Sequence, residues 1–234
     1  SLEKHSEKIM GVINSSDIPE EITKEILSAY ANLGKTPVAV RSSATAEDSS
    51  TASWAGELES YLYVKQTDLL DKIKLCWASL YTPRAIVYRA KRDMKWKDIA
   101  VAVVVQKMVN SQTSGVCFTV NPVTRDENEM VIEAVYGLGE ALVQGIVTPD
   151  RYNVDKKENV IIDIIAHAQK KMYVQSRTGG TSEIDVPKNK QLNQKLTGKE
   201  IIEVSKMCEK IEKHFGSPQD IEWAYVKGKF YITQ

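Results

Sequence analysis

TPVAVRSSATAEDSSTASWAGELESYLYV, residues 36–64, decides how this chain is read. Val38 and Val40 alternate with Ala39 and Arg41, which predicts a strand. The stretch then turns to small and hydroxylated residues from Ser42 to Ser53, closes at Gly56, and resumes as a strand. Alternation there predicts Tyr61 and Tyr63 on one face and Leu62 and Val64 on the other. Small residues let backbone N–H groups approach a bound group, and the hydroxyls add donors. Arg41, at the strand end, supplies a rigid fork of five N–H donors. That chemistry suits a polyphosphate. A solvated Ser/Thr-rich surface loop would have the same composition.

Composition narrows the class. With 234 residues and 42% hydrophobic residues the chain is long enough for one large domain or two small ones. Its 31 basic and 31 acidic residues cancel, so no net field favours nucleic acid or an anionic membrane. No apolar run approaches the length of a membrane span, and no secretory signal is visible. Cys76, Cys117 and Cys208 are far apart in apolar patterns and read as buried thiols of a reducing, cytoplasmic compartment. The chain starts Ser-Leu without methionine, which reads as a piece of a longer protein.

Helices are expected at Leu2–Ile13 and after Ser16 or Asp17, the second with Pro19 in its first turn and Gly34 at its end. Asp68 is expected to cap another, and Thr82-Pro83 to restart one that runs to about Arg92. IAVAVVVQKMV, residues 99–109, reads as a strand buried on both faces. Gly115–Val120 and Met130–Tyr136 read as strands around the turn residues NPVTRDENE. Arg151–Val154, Val160–Ile165 and His167–Gln175 read as a meander, and TGGTSEIDVPKNKQ, residues 178–191, as a linker or exposed loop. Thr197 and Glu200 form a T-x-x-E capping box ahead of a helix with Ile201, Val204, Cys208, Ile211 and Phe215 on one face.

QDIEWAYVKGKFYITQ, residues 219–234, reads as a terminal hairpin. Side chains on a strand alternate, so Asp220 and Glu222 share a face. Near phosphates, two such carboxylates make a hard-oxygen site for Mg²⁺. Solvent-facing strand polars would look the same.

AVRSSATAED with ASWAG, and YGLGE with VQGIVTPD at residues 136–150, resemble the ATP-binding domain of the phosphoenolpyruvate synthase (pyruvate, water dikinase) family. Pyruvate phosphate dikinase and rifampicin phosphotransferase are its relatives. The resemblance covers about residues 19–234. It implies an α+β, ATP-grasp fold in which two lobes enclose a nucleotide cleft. Residues 1–109 would form the N-terminal lobe, with the phosphate loop at 41–57, and residues 110–234 the C-terminal lobe. By the same resemblance Arg41, Gly56 and Ser60 contact ATP. Adenine meets the backbone around Gln106, with Met108 as an apolar contact. Glu222 and Gln234 bind Mg²⁺ and ATP, with Asp220 nearby. Glu140 and Gln144 stand in the second signature without a derived role. For Gln234 to share a face with Asp220 and Glu222, the hairpin is expected to turn through three residues, Val226-Lys227-Gly228, with a G1 bulge.

The implied partners are ATP, a phosphohistidine domain and a pyruvate-binding domain, the latter two outside this chain. The family's N-terminal lysine-bearing segment has no counterpart here, and an arginine expected two residues beyond Gln234 falls outside. His5, His167 and His214 lack the setting of a phosphorylated histidine and read as structural, His214 at a helix C-terminus. There is no G-x-x-x-x-G-K-[ST] and no dinucleotide fingerprint. The same module in an antibiotic phosphotransferase, or a nucleotide-binding piece without turnover, would share these features.

Overall fold

The computed structural model describes residues 1–45, 48–49, 52–53, 58–92, 94 and 99–234, with backbone alone at 48–49 and 52–53. It is a mixed α+β chain that divides into two compact units, Ser1–Met108 with Arg177–Gly180, and Val109–Ser176 with Thr181–Gln234. No helix among the described residues is long and apolar enough to cross a membrane.

The first unit holds α1 (Leu2–Ser15), α2 (Glu20–Asn32), β1 (Val38–Ala44), the two-residue β2 (Asp48–Ser49) and β3 (Ala52–Ser53), β4 (Ser60–Val64), α3 (Leu69–Ser79), α4 (Pro83–Lys91) and β5 (Val101–Lys107). β1 is the centre of an antiparallel sheet ordered β4-β1-β5. Val38, Val40, Val103 and Val105 point to one face and meet Tyr30 and Ile26 of α2 and Leu69, Ile73 and Cys76 of α3. Each fully buried Leu or Ile there contributes roughly 1.5–3 kcal/mol. α1 is tied on by Ser6 Oγ to the Tyr81 carbonyl (2.6 Å) and by Lys74 Nζ to the Asn14 carbonyl (3.0 Å).

Local chemistry departs from expectation in four places. Pro19 is the N-cap of α2 and stands outside its first turn. Asp68 occupies the N-cap of α3 without capping through its side chain, which accepts from Thr67 Oγ1. β4 pairs Val64 with Val38 but Tyr61 with Val40, so two residues of β4 lie between these pairs against one of β1. That bulge, with Tyr63 at φ 53°, flips the phase. Tyr61 and Val64 therefore share the core face. β5 is covered on one face alone, where Val103 and Val105 are half-buried; Val104, on the other, is 46% exposed. Thr82 does cap α4, accepting from Ala85 N–H, with Pro83 at N1.

The second unit holds β6 (Thr113–Phe118), β7 (Glu129–Tyr136), α5 (Glu140–Val143), β8 (Asp150–Asp155), β9 (Val160–Ile165), β10 (Lys171–Gln175), β11 (Thr181–Asp185), α6 (Gly198–Phe215), β12 (Asp220–Val226) and β13 (Lys229–Ile232). Six strands form an antiparallel sheet ordered β13-β12-β6-β7-β8-β9, and β10 pairs with β11. Residues 181–185, expected in a linker, are thus a strand. α6 starts at the Thr197/Glu200 capping box and ends at Gly216 in the left-handed region. Ile201, Val204 and Cys208 pack against Cys117, Ile132, Tyr152 and Trp223 of the sheet. Phe215 lies past this stripe and is exposed. The opposite sheet face carries a row of polar residues together with the buried Val131, Val135 and Ala224.

Candidate functional site

In the first unit, the face of β4-β1-β5 away from α2 and α3 collects three expected residues. Arg41 pairs with Ser60 on one side and Val104 on the other, and Ala39 pairs with Gln106 in the next row. Cross-strand partners share a face, so Arg41, Ser60 and Gln106 point the same way. Met108 lies one residue past β5 in the same phase, its N–H donating to the Pro37 carbonyl (3.2 Å). That bond, with Thr45 N–H to the Ala100 carbonyl (2.9 Å), fixes the ladder: odd residues of β1 exchange bonds with even residues of β5. The backbone groups of Val103, Val105 and Lys107 therefore face the outer edge. Gly56 and most of the loop at 46–57 lie outside the described residues.

In the second unit, Asp220 and Glu222 lie on the sheet face away from α6. The row through Glu222 continues across Val116 to Glu133 and Arg151. Burial and the neighbouring Glu222 charge push the Asp220 carboxyl above its ordinary value. Burial also raises Glu133; Arg151 pulls it down and Asp220 adds to the rise. Arg151 Nε donates to Asn153 Oδ1 (3.1 Å), and Asn153 and Asn121 both donate to Glu129. Sequence reasoning missed Glu133 and Arg151, although strand alternation marks both as facing away from Ile132 and Tyr152.

The hairpin corrects the expected three-residue loop. Val226 pairs with Lys229, so the turn is Lys227-Gly228, with φ 50° and 79°. Both signs are those of a type I′ turn, whose twist matches the strands. Gln234 rejoins Glu222 another way. Thr233 N–H and Gln234 N–H both donate to the Glu222 carbonyl (2.9 and 3.4 Å), and Glu222 N–H donates to the Gln234 carbonyl (2.9 Å). Two residues thus oppose one, which is a β-bulge at the strand end. The bulge sits at Thr233–Gln234, at the far end of the strand from Gly228, where the sequence suggested one.

The donor set suits a hard divalent cation: two carboxylates on one strand face, like-charged and crowded, beside an amide side chain. Among the described residues no group of three or more His, Cys, Asp or Glu is gathered to hold a metal. Phosphate and water oxygens would complete the shell, as is usual for Mg²⁺.

The second signature is structural where it can be read. Gly137 has φ 81°, and a Cβ there would fall 2.4 Å from the Tyr173 carbonyl oxygen. The Gly137 carbonyl accepts from Ser111 Oγ (2.8 Å) and Ser114 Oγ (2.7 Å). Gln144 Nε2 donates to Glu140 Oε1 at 3.3 Å. Asp150 is wholly buried with Lys195, Nζ to Oδ1 at 2.7 Å. It also accepts from Lys195 N–H (2.8 Å), His167 N–H (2.9 Å) and Tyr152 OH (2.8 Å). His167 lies between β9 and β10, with Nδ1 2.8 Å from the Pro149 carbonyl. Asp150 shares the phase of Tyr152 and Val154, so a charge on the core face was readable in the sequence.

The whole chain, residues 1–234, matches the family model described as pyruvate phosphate dikinase, AMP/ATP-binding domain. It is 47% identical over 248 aligned positions to phosphoenolpyruvate synthase of Pyrococcus furiosus, covering all of this chain and 30% of that protein. It is 43% identical to a probable phosphoenolpyruvate synthase of Methanocaldococcus jannaschii, covering all of this chain and 20% of that protein. Rifampicin phosphotransferase of Bacillus cereus is 39% identical over 98% of this chain and 26% of its own length. The chain thus spans about a third or less of the curated relatives it matches. It belongs to the pyruvate phosphate dikinase AMP/ATP-binding domain family.

Proposed function

We propose that this chain is the ATP-binding part of a phosphoenolpyruvate synthase-like phosphotransferase with an ATP-grasp arrangement. Arg41, Gly56, Ser60, Gln106 and Met108 of one lobe, and Asp220, Glu222 and Gln234 of the other, engage the same MgATP. The observation that carries this reading is the register. Residues far apart in sequence converge on one sheet face within each unit: Arg41 with Ser60 and Gln106, and Glu222 with Asp220 and the bulge at Gln234.

Catalysis by such a site is electrostatic. Arg41 and nearby donors offset phosphate charge, and closing the lobes excludes water. Glu222, Gln234 and Asp220 would hold Mg²⁺, which when bound would supply positive charge to offset that of the phosphates. In the parent protein, ATP's β-phosphoryl would pass to a histidine on another domain and on to pyruvate, AMP leaving as the β-phosphoryl's leaving group and water taking the γ-phosphoryl as inorganic phosphate. Cytoplasmic residence accords with three buried free thiols. A second reading, transfer to rifampicin, is favoured by the match to the Bacillus enzyme; a pyruvate-binding domain in the parent chain would decide against it.

The test is phosphohistidine formation from ATP in the full-length protein. Arg41→Ala and Glu222→Ala are expected to abolish it. Wild-type phosphorylation in both variants would refute the assignment.

A further inference from the structure

Val104 is out of place by ordinary strand logic. It sits in the middle of β5, yet its β-branched side chain is 46% exposed while Val38 and Val40 on the neighbouring strand are fully buried. Its cross-strand partner is Arg41, and the next residues in its phase are the exposed Ala102 and the half-buried Gln106. A guanidinium beside a low apolar floor is poorly matched to inorganic phosphate, whose surface is polar throughout. It matches a ligand with a phosphate at one end and a less polar ring system at the other. The outer edge of β5 adds backbone donors and acceptors at Val105 and Lys107, on the same side of Arg41 as Val104. From Val104 to Lys107 is three residues, about 10 Å along the strand. A nucleoside lying between these points places its sugar over Val104 and its base toward Lys107.

Resting on the nucleotide reading above, we infer that Val104 is the apolar floor beneath the sugar of the bound nucleotide. It is a specificity-determining residue that favours a nucleoside triphosphate over inorganic polyphosphate. The contact is made by the two Val104 methyl groups, which ATP covers and tripolyphosphate does not. Val104 is on the face away from α2 and α3, so replacing it leaves the core intact.

The test is titration calorimetry on the full-length protein with MgATP and with magnesium tripolyphosphate. Its variants are Val104→Ala, Val104→Ile and Arg41→Ala. Val104→Ala is expected to weaken MgATP binding about three- to tenfold, the worth of two partly covered methyl groups, and to leave tripolyphosphate within about twofold. Val104→Ile is expected to hold wild-type affinity for both, and Arg41→Ala to weaken both. Unchanged MgATP affinity in Val104→Ala, with both ligands weakened in Arg41→Ala, overturns the role of Val104 and leaves the nucleotide reading standing. Equal weakening of both ligands in Val104→Ala puts phosphate over the residue and overturns the assignment to the sugar. No effect of Arg41→Ala on either ligand overturns the nucleotide reading itself.

Discussion

Asp150 and Lys195 form a buried ion pair whose two halves are unequally supported, and that inequality sets a measurable order. Both side chains are 0% exposed. Asp150 accepts four donors: the Lys195 ammonium and amide, the His167 amide and the Tyr152 hydroxyl. Beyond Asp150, Lys195 has the His167 carbonyl and the Tyr136 ring, 5.5 Å from its nitrogen. Asp150→Ala strands a buried ammonium and removes the acceptor of two backbone amides. Breaking a buried pair in this way costs about 3–5 kcal/mol, and the orphaned amides put this case at the upper end. Lys195→Met leaves a carboxylate that keeps three donors, and methionine fills the space. We expect about 2 kcal/mol. The double substitution Asp150→Asn/Lys195→Met should cost less than the sum of its parts, because neither charge is left behind. Urea unfolding followed by tryptophan fluorescence measures all of these; Trp223, 1% exposed, reports on this core. If Lys195→Met costs as much as Asp150→Ala, Asp150 is not the hub of this network.

Gly137→Ala forces a Cβ to 2.4 Å from the Tyr173 carbonyl at φ 81°, so a loss of about 2 kcal/mol or more is expected in the same unfolding assay. Lys227→Asn should stabilise the hairpin by a few tenths of a kcal/mol, since Asn-Gly suits a type I′ turn better than Lys-Gly; the thermal midpoint would rise slightly. Glu200 titrates with a defined sign. Burial raises its carboxyl, but hydrogen bonds from Tyr225 and Thr197 outweigh this and leave it below the ordinary value. The native state therefore binds this proton less readily than the unfolded chain. The stabilisation is present above the unfolded pKa and disappears as pH falls through the native one. Glu200→Gln is expected to cost about 1 kcal/mol at pH 7 and progressively less as pH falls below the ordinary carboxylate range, as read by unfolding at each pH.

Much of the fold was legible because it rests on local chemistry. The Thr197/Glu200 box, the Thr82-Pro83 start and the faces of β12 follow from side-chain capping and period-2 alternation. What the sequence hid was phase. A bulge in β4 turns Tyr61 to the core, and another at Thr233–Gln234 returns Gln234 to Glu222 after a two-residue turn. Neither bulge carries a glycine to announce it. The strand at Thr181–Asp185 was hidden by its flanking glycines, proline and lysines, which look like a linker until β10 supplies a partner. Of the polar row on the face away from α6, Asp220 and Glu222 were readable from one strand. Glu133 and Arg151 join them through β6 and β7, a pairing that a single sequence does not display.

We propose that the Arg41 face and the Glu222 face grip one nucleotide. A crystal structure of the full-length protein with Mg²⁺ and a non-hydrolysable ATP analogue tests it directly. We expect one triphosphate with the Arg41 guanidinium within hydrogen-bonding distance of a phosphate oxygen and a magnesium ion bound by Glu222 on the same phosphates. A nucleotide held by one face, with the other turned to solvent and its metal elsewhere, would contradict it.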